Sequence, residues 1–301
     1  MRTTIDSGLQ VAADNAMESL PQSAAAVAVQ ASNGRILTVA QHTAGGTPAI
    51  DPLAGRYQPG PAFTIVSTAA LLAGGLNVNT QVPCHSVNDV GGRIFTNVPP
   101  QPGLGAQPAF EEDFAHACGT AFSGLSWRLN GRELAAAASG FGLGAPWQLP
   151  LPAFSGSMQA PSGVAAVAAG TIGEGSVQVS PLAMAMIAGQ VATGTRHAPS
   201  LIPGATQAQK GDPPFSAANL ATLRTLMKAT VQSGAATEAD LAGQQVYGQV
   251  GTVAMRTGKH PVWASWFVGY RGDVAIAVLE LSHSPATSAA PLAAQILAAT
   301  P

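Results

Sequence analysis

Acyl transfer by a side-chain hydroxyl needs a base within reach, and on a helix that base comes three or four residues later, where the two side chains share a face. The chain has only three lysines, Lys210, Lys228 and Lys259, and none follows a serine by three residues. Thr225-Leu226-Met227-Lys228 is the nearest imitation, late in a helix whose pattern suggests the periphery of the molecule. His42, His85, His116, His197, His260 and His283 are scattered with no His-Asp or Cys-His spacing, so surface or satisfied core roles explain them. Together with Cys84 and Cys118 they form no pattern that suggests a metal, and no cofactor motif is present. Ser67 and Ser86 remain as candidate nucleophiles, the first inside an apolar helix and the second in a turn-rich stretch.

The element that would position such chemistry runs from Tyr57 to Leu72. Pro61 suits the first position of a helix, where an amide hydrogen would lack an intrahelical partner. Beyond it Phe63, Ile65, Val66, Ala69, Ala70 and Leu72 leave almost no polar face, which predicts a buried helix ended by Gly74-Gly75. Ahead of it the spacing predicts a helix over 10–20 and strands over 25–31 and 35–40, joined at Ser32-Asn33-Gly34. A Gly/Pro loop over 43–60 follows. Residues 77–108 read as irregular or as short strands. Glu111, Glu112 and Asp113 open one helix expected to carry 114–122. Further helices are expected over 131–140, 216–232, with Ser216 as N-cap, and 288–299, and strands over 245–252, 262–270 and 274–281. Arg271-Gly272-Asp273 between the last two strands is read as a tight turn, in preference to an adhesion motif.

At 301 residues the chain can form one large domain or two small ones. Charged residues make up 9%, against about 25% in ordinary soluble domains, and alanine, glycine and proline take their place. A net charge of −2 with no basic cluster argues against nucleic acid and anionic membrane surfaces. The apolar stretches, such as 163–169, are far short of the roughly 18–20 residues of a membrane span, and no signal-peptide pattern opens the chain.

Tyr57-Gln58-Pro59-Gly60-Pro61-Ala62-Phe63-Thr64 resembles the active-site helix of the penicillin-binding transpeptidases, Tyr-x-Pro-Gly-Ser-x-x-Lys, with Pro61 at the serine position and Thr64 at the lysine position. Ala117-Cys118-Gly119-Thr120-Ala121-Phe122 is similar to their second motif, Ser-x-Asn-Thr-x-Phe, with Ala117 and Gly119 in place of serine and asparagine. Gln249-Val250-Gly251-Thr252 is similar to the third, Lys-Thr-Gly-Thr, with Gln249 and Val250 replacing lysine and threonine. The most specific match is Ile172-Gly173-Glu174-Gly175 through Ser180-Pro181-Leu182-Ala183-Met184-Ala185, and the resemblance extends from Thr4 to Leu297. Ser86-Val87-Asn88 and Arg256-Thr257-Gly258 imitate the second and third motifs out of place.

The resemblance implies an α/β domain of the β-lactamase/transpeptidase type over residues 1–301. Its antiparallel sheet and covering helices would come from about 1–56 and 234–301, and a mainly helical subdomain from about 57–233. It implies a serine acyl-transfer site from which six active groups are missing, at Pro61, Thr64, Ala117, Gly119, Gln249 and Val250. In this family the serine's own amide is one oxyanion-hole donor, and Pro61 has no amide hydrogen. The expected function is therefore an inactive domain that binds or scaffolds in peptidoglycan synthesis, with cell-wall synthesis proteins or wall peptide as partners. Two alternatives stand beside it: an acyl transferase using another nucleophile, and reversible binding of wall peptide or β-lactam, with Thr252 at the position that helps hold the substrate carboxylate. The resemblance also implies an extracytoplasmic location and an N-terminal anchor ahead of Met1. Cys84 and Cys118 are expected either as a disulfide or as two buried thiols.

Overall fold

The computed structural model describes residues 2–98, 103–204, 215–255 and 261–300. Helix α1 (Ser7–Met17) precedes β1 (Ser23–Gln30) and β2 (Ile36–His42). Asp6 caps α1 by accepting a hydrogen bond from the Leu9 amide, so the helix begins three residues before its apolar spacing does. The β1–β2 hairpin turns at Gly34, whose φ of +77° and amide bond to the Gln30 carbonyl (2.8 Å) account for the Asn-Gly signal.

At the far end of the chain lie β5 (Val246–Met255), β6 (Val262–Arg271) and β7 (Val274–Ser282). The five strands form one sheet in the order β2-β1-β7-β6-β5, every pairing antiparallel. Alternation along β7 shows why both faces are buried. Val274, Ile276 and Val278 join a core with Leu9, Met17, Leu292 and Ile296, whereas Ala275, Ala277, Leu279 and Leu281 join the core shared with the helical part. The first core is closed by α1 and by the last helix, α9 (Ala290–Ala298). Arg271 donates to the carbonyls of Leu297 (2.7 Å) and Thr300 (2.8 Å) at the end of α9, so the Arg-Gly-Asp turn is structural.

Between the hairpin and β5 come a 3₁₀ turn (Gly60–Phe63), α2 (Thr64–Ala73), and a small antiparallel ribbon of β3 (Val87–Val90) and β4 (Arg93–Thr96). Helices α3 (Phe110–Ala115), α4 (Gly119–Gly124), α5 (Gly131–Gly140), α6 (Val164–Thr171), α7 (Pro181–Thr193) and α8 (Ala217–Gln232) follow. Residues Thr64 to Leu71 are buried without a break, as the missing polar face predicts. Helix α7, started by Ser180 and Pro181, lies against β1, β6 and β7.

Two expectations need correction. The single helix over 111–122 is two, because Ala117 takes φ +52° and the Cys118 amide turns back to the Asp113 carbonyl (2.8 Å). Helix α8 is not peripheral: it packs on β5, α2 and α3, with Leu223, Met227 and Val231 fully buried. Its exposed Thr225 bonds back to the Ala221 carbonyl (3.2 Å), which removes the Thr-x-x-Lys imitation from any cleft. Arg256-Thr257-Gly258 lies outside the described residues. Among the described residues no helix is long and apolar enough to cross a membrane.

Candidate functional site

The 3₁₀ turn ahead of α2 meets β5 backbone to backbone. A Cβ on Gly251 would stand 2.2 Å from the Ala62 nitrogen and 2.9 Å from the nitrogen of Pro61, so only glycine allows this approach. Gly251→Ala is expected to cost about 2 kcal/mol in urea unfolding by forcing strand and helix apart. The turn before the helix is buttressed by the segment over 172–179. Tyr57 and Val179 exchange both backbone hydrogen bonds (2.9 and 2.8 Å), and a Cβ on Gly173 would meet the Gly60 carbonyl at 2.4 Å. These contacts require the glycine at 173, whereas Gly175 is favoured by its φ of +71°.

The positions expected to carry the chemistry converge, with different groups on them. The buried Gln249 donates from one amide nitrogen to the Thr64 hydroxyl (3.1 Å) and to the Phe114 carbonyl (2.8 Å). Its oxygen accepts from the Val250 amide (2.9 Å). Gln249 thereby ties β5, α2 and α3 together, with no amine at any of the three points.

Ala117 sits on the turn between α3 and α4. Its neighbour Cys118 is bonded to Cys84, with a Cα separation of 6.2 Å, which ties the turn to the segment before β3. Gly119 opens α4, and a Cβ there would find only ordinary contacts, at 3.8 Å from Asn97 Oδ1 and 4.0 Å from Ile172. A Cβ is therefore tolerated at this buried position.

Pro61, Ala117, Val250, Gly251 and Thr252 line a cavity of 130 Å³ whose rim includes Ser265, Thr287 and Ser288. That is well below the roughly 300 Å³ at which small-molecule pockets begin. Val98 borders both this cavity and a larger one of 630 Å³, which follows β5 past Val253 and Met255 and is lined also by Arg56, Gln58, Arg93 and Glu174. Arg93 and Glu174 form an ion pair there. Burial raises the Glu174 carboxyl above its usual range, and Arg93 only partly opposes this.

The candidate nucleophiles lie elsewhere. Ser67 is fully buried and donates to the Thr171 carbonyl (2.6 Å), whereas Ser86 is exposed just before β3 and lines neither cavity.

Two residues beside the site carried no signal of these roles in the sequence, because the roles depend on segments brought together only by the fold. Asn97 accepts from the Thr120 amide (3.0 Å) and donates to the His85 carbonyl (3.1 Å). Asp113 is buried, and its carboxyl is pushed up to about 8, chiefly by burial and then by the charge of Glu112.

The model of the penicillin binding protein transpeptidase domain matches residues 24–299. The chain belongs to this family. Among its relatives, the peptidoglycan D,D-transpeptidase PbpA of Mycobacterium tuberculosis strain H37Rv is 28% identical over 352 residues, covering 99% of this chain and 71% of the relative. PbpA of Mycolicibacterium smegmatis is 28% identical over 270 residues, covering 81% of this chain, and the match spans only about half of that relative, 55%.

The fold is that of solved penicillin-binding transpeptidase domains. PBPA of M. tuberculosis superposes with a TM-score of 0.83 at 24% identity, over 99% of this chain and 79% of that one. The transpeptidase domain from Eggerthella lenta does so at 0.83 and 20%, over 99% and 81%. A ceftriaxone acyl-enzyme complex of the M. tuberculosis protein matches at 0.84 and 24% identity, over 99% and 79%. That protein is described as an acyl-enzyme; in this chain the residue expected at the serine position is Pro61.

Proposed function

We propose that this is a non-acylating transpeptidase domain of the cell envelope, extracytoplasmic and carried by an N-terminal anchor, with a binding or scaffolding role in peptidoglycan synthesis. The observation that carries this reading is the convergence of Pro61, Thr64 and Gln249 in a retained frame, where hydroxyl and amide are bonded to each other and position 61 has neither nucleophile nor amide hydrogen. Loss of nucleophile and base in serine hydrolases leaves at most about 10³–10⁴ over water, and that remainder depends on the oxyanion hole. Incubation with a fluorescent penicillin is expected to leave no heat-stable adduct on the purified chain. Pro61→Ser is expected to stay unlabelled as well, because Thr64 and Gln249 supply no amine. A covalent adduct on the unaltered chain would overturn the reading, as would turnover of a D-Ala-D-Ala peptide that is lost in Ser86→Ala.

A second reading, reversible capture of wall peptide or β-lactam, is favoured by the 630 Å³ cavity along β5, which has the size of a ligand pocket, together with the Thr252 hydroxyl at its neighbour. Titration calorimetry with stem peptides separates the two. Heat that disappears in Thr252→Val supports capture, and no heat supports a protein partner.

A further inference from the structure

A cleft on the helical part of the molecule shares no lining residue with the two cavities of the site. Its volume of 380 Å³ falls in the range of small-molecule pockets. One wall is the stretch 80–85, and the other is the end of α4 with the 3₁₀ turn that follows it, Leu125–Arg128. Trp127 on this turn is 74% exposed, more than any other large apolar side chain among the described residues. An exposed apolar side chain alone carries no meaning, but this one stands at a cleft and is supported. The Arg128 guanidinium lies 4.6 Å from the ring centre, and the buried Leu125 and Ser126 anchor the turn. The opposite wall is equally well held. Val82 and Cys84 donate backbone hydrogen bonds to the carbonyls of Pro108 (3.0 Å) and Gly105 (2.9 Å), and the Cys84–Cys118 disulfide pins the same stretch to the start of α4. Asn88 donates from Nδ2 to the Thr120 carbonyl (3.2 Å) and the Ser123 hydroxyl (3.3 Å), which leaves its Oδ1 free to accept. Thr80, Gln81 and the His85 ring also line the cleft, and their side chains make no hydrogen bond to the described residues.

We propose that this cleft binds a chain of N-acetylated amino sugars, stacked on Trp127. A pyranose has a face of C–H groups that lies flat on an indole, and a rim of hydroxyls that exchange hydrogen bonds with neutral side chains. Its acetamido group carries one donor and one acceptor, which the Asn88 Oδ1 and the Gln81 amide complement, and a methyl that suits the apolar Val82 and Leu125 on the walls. Among the described residues no carboxylate lines the cleft, and its one cation, Arg128, lies over the ring. That lining favours a neutral ligand, because a charged one needs a partner of opposite sign to offset its lost hydration. Arg128 also borders a neighbouring cavity of 350 Å³, so the surface continues beyond a single sugar. Walls fixed before binding lose little further freedom when the ligand arrives. The domain thereby gains a hold on glycan that is independent of the site at Pro61.

The test is titration calorimetry of the whole chain with chitotetraose, a tetramer of N-acetylglucosamine. Saturable heat with a Kd of about 1 mM or tighter is expected. Affinity is expected to fall at least about tenfold in Trp127→Ala and about threefold in Gln81→Ala. Both residues are exposed, so both variants should keep the far-ultraviolet circular dichroism of the unaltered chain. Maltotetraose, which offers hydroxyls without acetamido groups, is expected to bind at least about tenfold more weakly. Chitotetraose giving no saturable heat overturns the proposal, and so does Trp127→Ala binding it as tightly as the unaltered chain. Equal binding of maltotetraose overturns the assignment to N-acetylated sugars. A penicillin adduct on the chain would overturn the function proposed above and leave this result untouched.

Discussion

Gln249→Leu is expected to lower the stability of this domain by about 3 kcal/mol, read as a fall in the urea midpoint with an unchanged slope. The side chain is fully buried and its amide makes three hydrogen bonds on three elements. Leucine fills a similar volume, so packing is not the main loss. The Val250 amide loses the oxygen it donates to, and a buried donor without an acceptor costs about 1–3 kcal/mol. The Phe114 carbonyl keeps the Ala117 amide (3.0 Å) and loses only its second donor, and the Thr64 hydroxyl loses the third bond. Gln249→Lys, the residue that the motif resemblance expects there, can remake both donated bonds but gives the Val250 amide no acceptor and buries a charge, so it is expected to be no milder. A loss below about 1 kcal/mol in both variants would show that the amide does not hold the three elements together.

Glu280→Gln is expected to stabilise the protein at pH 8 by up to about 3 kcal/mol and to change little at pH 4. Glu280 is 2% exposed on β7, and burial raises its carboxyl from 4.5 to about 7; the hydrogen bond from Gln22 opposes the shift and the charge of Glu238 adds to it. A carboxyl raised in the folded state favours its neutral form there. The penalty is therefore absent below about 4.5, grows as pH rises to about 7, and is constant above that. Thermal or urea stability of the two proteins, measured from pH 4 to 8, should diverge only across that window. Curves that stay parallel would mean that Glu280 ionises in the folded state as easily as in the unfolded one.

Local residue chemistry alone determined much of this protein. Asn33-Gly34 marked the first hairpin, the missing polar face from Phe63 to Leu72 marked a buried helix, and Asn130 with Glu133 made the capping box that begins α5 at Gly131. The sequence also determined which groups are absent, since no fold can give Pro61 an amide hydrogen or Thr64 an amine. Tertiary structure decided what stands in their place. The Gln249–Thr64 bond joins residues 185 apart, and the Cys84–Cys118 link joins two segments 34 apart. The break at Ala117 and the burial of α8 against β5 arise from the same long-range packing, which no local spacing encodes. Asp113 is the clearest case. Among the acidic residues that open α3 it read as a favourable helix start, and only the packing of the fold, which brings the disulfide beside it, turned it into a buried carboxyl with no hydrogen-bond partner among the described residues. Periodicity reports which face of an element is apolar, whereas the electrostatics of a buried group depend on what the rest of the chain brings against it.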